Sequence, residues 1–390
     1  MRAALGIAGV AAVLTVAALA TGSPVFLLPA VLLTLAEALA LLTTAWAGRS
    51  LQVVSRGAQR TLQRGDSLTL EVEVRHRCLL PMAPMVFTVE GLPGTEPFDV
   101  RLDDTRRGAR VFTLTLDAPH VGVSHPGVVE VTVSDLLGLR ERTLPVRLPE
   151  EETVVLPAAF PVEPLRFAPT EAASGAMARA TEDITDPADT RAWQPGDALK
   201  KVHWKLTARR QELMVRRFEE PVPQEALVIL DSAAIGGQSA DIRDALCDTA
   251  AAVVETELRL EHRLRLPLHD GQVGDIASLS AVPMTLERLA RCEMTGRERL
   301  DSVIRGAFSR VRQTGAVVVI TARLSERAVE TLLQLRRLGP TLRLYLVTAG
   351  VENPRWPPMV RKLQAAGAEV IWITPSDSLS PPGEGDSPQG

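Results

Sequence analysis

Apolar residues follow three different rhythms along the chain. From Ala3 to Ala20 they form an uncharged stretch interrupted only by Thr15, and after Thr21-Gly22-Ser23-Pro24 a second apolar stretch runs from Val25 to about Ala47. Each is close to the roughly 20 residues that a membrane-spanning helix needs. From Leu51 to about Leu156 the rhythm changes to strict alternation, as in Ser67 to Val74, Arg110 to Leu116 and Val128 to Val133, with Gly, Pro and Asp between the runs. Period two with such punctuation predicts antiparallel strands in a sandwich. From Glu225 onward, short continuous apolar runs alternate with helical patterns: Ala226 to Leu230, a helix from about Ile242 to Glu261, Leu264 to Leu268, Ala316 to Ile320, a helix over Ser325 to Leu338, Leu342 to Val347, a short helix near Val360, and Glu369 to Ile373. Strands buried on both faces and separated by helices predict a doubly wound, mainly parallel α/β sheet.

The expected organisation is a transmembrane hairpin (residues 1–48), an all-β sandwich-like module (49–156), a linker (157–190), a distinct basic segment (191–224), an α/β domain (225–375) and a disordered tail (376–390). The Pro-, Ala- and Thr-rich residues after Pro157 suit an extended linker or a surface-wrapping segment, and the Pro, Gly and Ser of the tail cannot build a core. At the N-terminus a second reading stays open, because Arg2, the apolar run and Ala18-Leu19-Ala20 also fit a cleaved signal peptide. The hairpin is simpler, since it satisfies the backbone of both stretches in lipid. Its turn is uncharged, whereas Arg2, Arg49, Arg56, Arg60 and Arg64 flank its ends, so both termini and the soluble modules are expected in the cytoplasm at the cell membrane. Glu37 interrupts the second stretch. An ionised carboxylate is costly there, so it is either neutral or paired in a helix interface, or else the span is displaced to bring it to the surface.

Charge narrows the partner classes. Lys and Arg number 43 against 47 Asp and Glu, a net of −4, which argues against nucleic acid as a global partner. The three cysteines, Cys78, Cys247 and Cys292, are far apart and form no CxxC pair, and the six histidines have no metal-ligand spacing. The basic charge is local instead. Between Lys200 and Arg217 there are seven Lys or Arg and a single acid, Glu212, together with Trp204, while Trp193 lies just upstream. Pro195-Gly196 suits a tight turn and Asp197 a helix cap. The segment is either a core anchor with a solvated basic face or a docking surface for an acidic protein or anionic lipid headgroups. The candidate binding residues are Arg191, Trp193, Gly196, Asp197, Lys200, Lys201, Trp204, Arg209 and Arg210. Both tryptophans are expected to be buried. Reversing Lys200, Lys201, Arg209 and Arg210 to Glu is expected to spare the fold and abolish partner capture.

Arg191, Trp193, Gly196-Asp197, Lys200, Val202, Trp204, Ala208-Arg209 and Val215 resemble the hallmark of the family known as domain of unknown function 58, with Trp193 in place of the usual Tyr and Lys200 in place of Arg. Ser134-Asp135-Leu136-Leu137-Gly138-Leu139 resembles that family's Asp-Pro-Phe-Gly-Leu turn. The resemblance implies a membrane-anchored protein with a C-terminal module like a von Willebrand factor A domain, associated with MoxR-type AAA+ ATPases in assembly or chaperone systems. A metal-ion-dependent adhesion site in such a module needs Asp-x-Ser-x-Ser after the first strand. Here that strand is followed by Asp231-Ser232-Ala233-Ala234-Ile235, so only Asp231 and Ser232 offer hard oxygens, with Thr321 a weaker third. No cofactor is expected, and Mg²⁺ should bind weakly or not at all.

No Walker loop, GxGxxG fingerprint or complete GxSxG elbow occurs, and Gly237-Gln238-Ser239-Ala240-Asp241 lacks the second glycine of the last. The expected function is therefore that of a membrane-anchored, non-catalytic scaffold or assembly factor. The alternative is a hydrolase using Asp231 with His203 or His269 at the carboxyl end of the sheet.

Overall fold

The computed structural model describes residues 2–57, 59–80, 82–167, 187–193, 202, 204–218, 225–233, 240–267, 273–292, 294, 298–311, 314–348 and 353–375. The chain divides into two compact units, Met1–Ala158 and Ala159–Gly390.

The first unit opens with two apolar helices, α1 (Arg2–Thr21) and α2 (Pro24–Ser50), joined at Gly22, whose positive φ of 66° permits the tight reversal. Among the described residues α2 alone is long and apolar enough to cross a membrane, while α1 contributes the shorter apolar stretch Gly9–Thr21. Pro29 lies in the second turn of α2, where its ring removes the amide that would otherwise bond to the Val25 carbonyl. The small side chains Ala30, Ala40, Thr43, Thr44 and Ala47 are buried on one face, whereas Val25, Leu28, Val31, Leu32, Leu35, Leu39 and Leu42 stand exposed on the other.

Ten strands follow: β1 (Gln52–Gly57), β2 (Thr61–Gln63), β3 (Ser67–His76), β4 (Met85–Glu90), β5 (Phe98–Leu102), β6 (Gly108–Asp117), β7 (Gly122–Ser124), β8 (Gly127–Ser134), β9 (Glu141–Pro145) and β10 (Thr153–Leu156). They form an antiparallel β1-β3-β6 sheet, an antiparallel β5-β4-β8-β9 sheet, and a small β2-β10-β7 sheet in which β10 runs parallel to β2. Alternation decides the faces. Leu68, Leu70, Val72 and Val74 of β3 turn inward to meet Met85, Phe87 and Val89 of β4 and Val131 and Val133 of β8 in one core. Phe87 and Phe112 pack edge to face across it, centroids 5.5 Å apart.

His76, the last residue of β3, is buried in this unit, and burial holds its imidazole below the usual value, the nearby Arg110 charge adding to the effect against hydrogen bonds to Arg106 and Thr105. The fold thus prefers the neutral ring. Its contribution to stability is complete above the unfolded value of about 6.5 and is lost as pH falls through it toward the lower folded value. Melting of the detergent-solubilised chain should weaken from about pH 7 to about pH 5, and less steeply in His76→Gln. Identical pH slopes for the two proteins would contradict this assignment.

The second unit begins with a strap. Within residues 159–167 the Leu165 amide donates to Glu257 Oε1 at 2.8 Å, and the carbonyls of Glu163 and Pro164 accept from the Arg343 guanidinium, 3.0 Å in the case of Pro164. The Thr341 hydroxyl donates to the Arg166 carbonyl. The start of the predicted linker therefore wraps the α/β domain; residues 168–186 of it, and the predicted tail 376–390, lie outside the described residues. Next come β11 (Pro187–Ala192), α3 (Trp204–Arg210) and β12 (Met214–Phe218), with β11 and β12 paired antiparallel.

The remaining elements are β13 (Glu225–Leu230), α4 (Ala240–Arg259), β14 (Arg263–Pro267), β15 (Val273–Ile276), α5 (Val282–Ala290), α6 (Leu300–Gly306), α7 (Phe308–Val311), β16 (Ala316–Thr321), α8 (Glu326–Arg337), β17 (Thr341–Val347), α9 (Trp356–Ala365) and β18 (Glu369–Ile373). The sheet order is β15-β14-β13-β16-β17-β18, parallel throughout except for the β14-β15 edge. All six residues of β16 are buried, as expected of a central strand covered on both faces. Leu227, Ile229, Val317, Val319, Leu344 and Leu346 pack on one side against Leu332, Leu335, Trp356 and Leu363 of α8 and α9. The sequence patterns missed β15 and α5 to α7, which are short and weakly periodic.

Candidate functional site

The chain leaves β13 toward β14 on one side and returns to β16 on the other, so the strand order reverses between β13 and β16. In open α/β sheets ligands bind at the carboxyl ends of the strands flanking such a reversal. Asp231 follows β13 directly and Thr321 ends β16, so the topology brings together two of the residues considered as metal ligands. Asp231 is 1% exposed. Its amide donates to the Ile320 carbonyl at 2.9 Å, which fixes the start of the loop against the neighbouring strand.

The carboxylate is already matched. Arg323 donates from Nε to Oδ2 and from a terminal nitrogen to Oδ1, both at 2.8 Å, and the Thr321 hydroxyl donates to Oδ2 at 2.7 Å. Arg323 also donates to the Glu298 carbonyl at 2.6 Å. Such a bidentate fork is the strongest pairing open to a carboxylate, and hydrogen bonding to Asp231 pushes the guanidinium above its usual value. Mg²⁺ needs octahedral coordination by freely offered oxygens. Both Asp231 oxygens are instead engaged by a fixed cation, and the Thr321 proton points at them, so these residues do not fit the metal. The partner was invisible by spacing, since Arg323 lies 92 residues from Asp231; its cue is its place two residues beyond the end of the adjacent parallel strand.

His203 and His269 lie outside the described residues. Two surface grooves of about 430 and 470 Å³ are lined by the strap with α4 and by α8 with α9, and Asp231 borders neither. Cys247 is fully buried, and burial raises its thiol far above the usual value, which makes it inert as a nucleophile.

The basic segment has a different character. Val215 of β12 bridges to Val202, and both are buried, as is Met214, whose amide donates to the Thr207 hydroxyl at 3.0 Å. Trp193 is half-buried and its amide donates to the Leu213 carbonyl at 2.7 Å. Gln211, with φ of 57°, turns the chain from α3 into β12. Of the nine predicted binding residues, Gly196, Asp197, Lys200 and Lys201 lie outside the described residues, and of Arg191 and Arg210 only the backbone is described, in β11 and at the end of α3. Arg209 is exposed. One expectation is corrected: Trp204 is not a buried anchor but stands 64% exposed at the first position of α3. Val202, Met214 and Val215 do the anchoring, which leaves the indole free to face outward.

Comparison with known proteins agrees on this region. Residues 189–339 match the family described as "Protein of unknown function DUF58". The chain is 27% identical over 193 residues to "Uncharacterized protein YeaD" of Bacillus subtilis (strain 168), which covers 47% of this chain and 48% of that one, so the chain spans about half the length of this relative. Among solved structures, Cwp6 from Clostridium difficile aligns over 82% of this chain and 49% of its own at 10% identity, and a GH20 exo-β-N-acetylglucosaminidase from Vibrio harveyi over 82% and 71% at 8% identity. Both superpose at a TM-score of 0.19, too low to inform fold or activity. The stretch that matches the DUF58 family, residues 189–339, thus carries the hallmark segment and most of the strands of the α/β sheet.

Proposed function

We propose that this protein is a membrane-anchored scaffold that works by binding a protein partner at the face formed by α3. The observation that carries it is the exposure of Trp204 within the family-matched segment, with exposed Arg209 on the same short helix. Tryptophan and arginine are the residues most enriched among interface hot spots, and a monomer gains nothing by leaving an indole in water. The surrounding basic charge favours an acidic protein surface, and a MoxR-type AAA+ ATPase is the partner that the family resemblance implies. Anionic lipid headgroups are the second ligand compatible with that charge. The α/β domain, which we read as von Willebrand factor A-like, then serves as a rigid support. Arg323 supplies its cation internally, in keeping with an adhesion-type module that needs no Mg²⁺. Affinity capture from detergent-solubilised membranes should recover the partner with the parent chain and lose it with Trp204→Ala; equal recovery would contradict the proposal.

Anchoring rests on α2, with α1 completing a hairpin. The arginines flanking the hairpin support a topology with its ends, and the rest of the chain, in the cytoplasm. A reporter active only outside the cytoplasm, fused after Gly390, should stay silent. Strong activity there would mean a cleaved signal or a single span.

A further inference from the structure

Glu37 has a partner, and the partner fixes how deep the β-rich module sits. Arg140 donates from Nε to Glu37 Oε1 at 2.7 Å, with a second contact from a terminal nitrogen to the same oxygen. Eleven residues further along α2, at its base, the backbone of Gly48 lies against the side chains of Arg142 and Leu144, which a Cβ there would meet at 3.4 Å. The two contacts give the same geometry. From Gly48 back to Glu37 the helix rises about 16 Å, and from Leu144 back to Arg140 strand β9 extends about 13 Å. Strand β9 therefore climbs alongside α2, and the turn joining it to β8 lies about level with Glu37.

That level is inside the bilayer if α2 spans it. A hydrocarbon core of about 30 Å takes about 20 residues of helix, which from Pro24 reaches about Thr43, and Trp46 beyond it suits the headgroup belt. Glu37 is then about 10 Å below the surface at 1.5 Å per residue. Sliding the helix until Glu37 reached the headgroups would leave only about 20 Å of it in the hydrocarbon, too little to cross. The turn is built for such a place. Leu136 and Leu137 project from its tip 61% and 62% exposed. Three of its amides are closed internally: the buried Asp135 carboxylate accepts from Leu137 at 2.9 Å and Arg140 at 2.6 Å, and the Gly138 amide donates to the Asp135 carbonyl at 3.1 Å. Gly138, φ 65°, makes the reversal. Backbone entering lipid must be satisfied in this way, and an Arg reaching inward to a carboxylate lowers the cost of both charges.

We propose that the β8–β9 turn, Asp135 to Arg140, enters the bilayer beside α2 and contacts acyl chains through Leu136 and Leu137. The inference rests on the spanning role of α2 proposed above, and it makes the β-rich module a part of the membrane anchor. The test uses the full chain in phosphatidylcholine vesicles, with Cys292→Ser as background because Cys78 and Cys247 are buried. A single environment-sensitive fluorophore is placed at Leu137→Cys, at Leu32→Cys on the exposed face of α2, or at Val111→Cys on the exposed face of β6. Lipids carrying a nitroxide high or low on the acyl chain report depth. The expected result is loss of emission at Leu32 and at Leu137, the latter favouring the shallow nitroxide, and none at Val111. Quenching at Leu32 with none at Leu137 overturns the inference while the span survives. In that case iodide quenching at Leu137 means that the turn sits in water, and protection from iodide means that protein or a second copy covers it. No quenching at Leu32 removes the span itself, and the inference with it.

Discussion

Arg323→Ala should destabilise the α/β domain by about 3 kcal/mol, while Asp231→Ala/Arg323→Ala should recover much of that loss. Removing one partner of a buried pair strands the other charge, which costs roughly 3 to 5 kcal/mol, whereas removing both leaves no uncompensated ion. The lower end applies because the Arg323 side chain is 33% exposed and water can replace part of the guanidinium. For a unit of this size the single variant should melt about 6 to 12 °C below the parent. Thermal melting of the detergent-solubilised chain, run as a double-mutant cycle, isolates the coupling. Additive single effects would show that the pair is not the device that closes the end of the sheet. Millimolar Mg²⁺ should leave the parent melting temperature unchanged, because Asp231 has no free oxygen to offer; a saturable rise lost in Asp231→Ala would contradict that.

The sheets were legible in sequence because burial there is dictated locally. Five consecutive apolar residues in β16, Ala316 to Ile320, permit only a strand covered on both faces, and the alternation along β3 permits only a strand covered on one. Strand β11 was not legible, since Pro187 to Ala192 has no apolar rhythm and takes its form from pairing with β12. The charged contacts were hidden for a different reason. Glu37 and Arg140 are 103 residues apart, and Asp231 and Arg323 are 92 apart, so only the folded chain brings each carboxylate its guanidinium. Glu37 was recognisable as a residue needing a partner in the membrane, but the partner stands on the β8–β9 turn and not on the neighbouring helix. Trp204 was misjudged because size and apolarity argue for burial on average, whereas its helix is held by Val202, Thr207, Met214 and Val215, which leaves the first position facing outward. The reversal of that expectation is what gives the segment its docking character.

The central claim is that the protein acts through the α3 face and not through chemistry at Asp231. The most direct measurement is the affinity of a purified MoxR-type AAA+ ATPase from the same organism for the full chain in lipid nanodiscs, compared across the parent, Trp204→Ala and Asp231→Ala/Arg323→Ala. A hot-spot tryptophan carries about 2 kcal/mol or more of binding free energy, so Trp204→Ala should weaken the complex by roughly 30-fold or more. Its melting temperature should stay near that of the parent, since an exposed side chain contributes little to the fold. The double variant should bind as the parent does. Parent-like affinity in Trp204→Ala, or loss of binding confined to the Asp231 variant, would contradict the account.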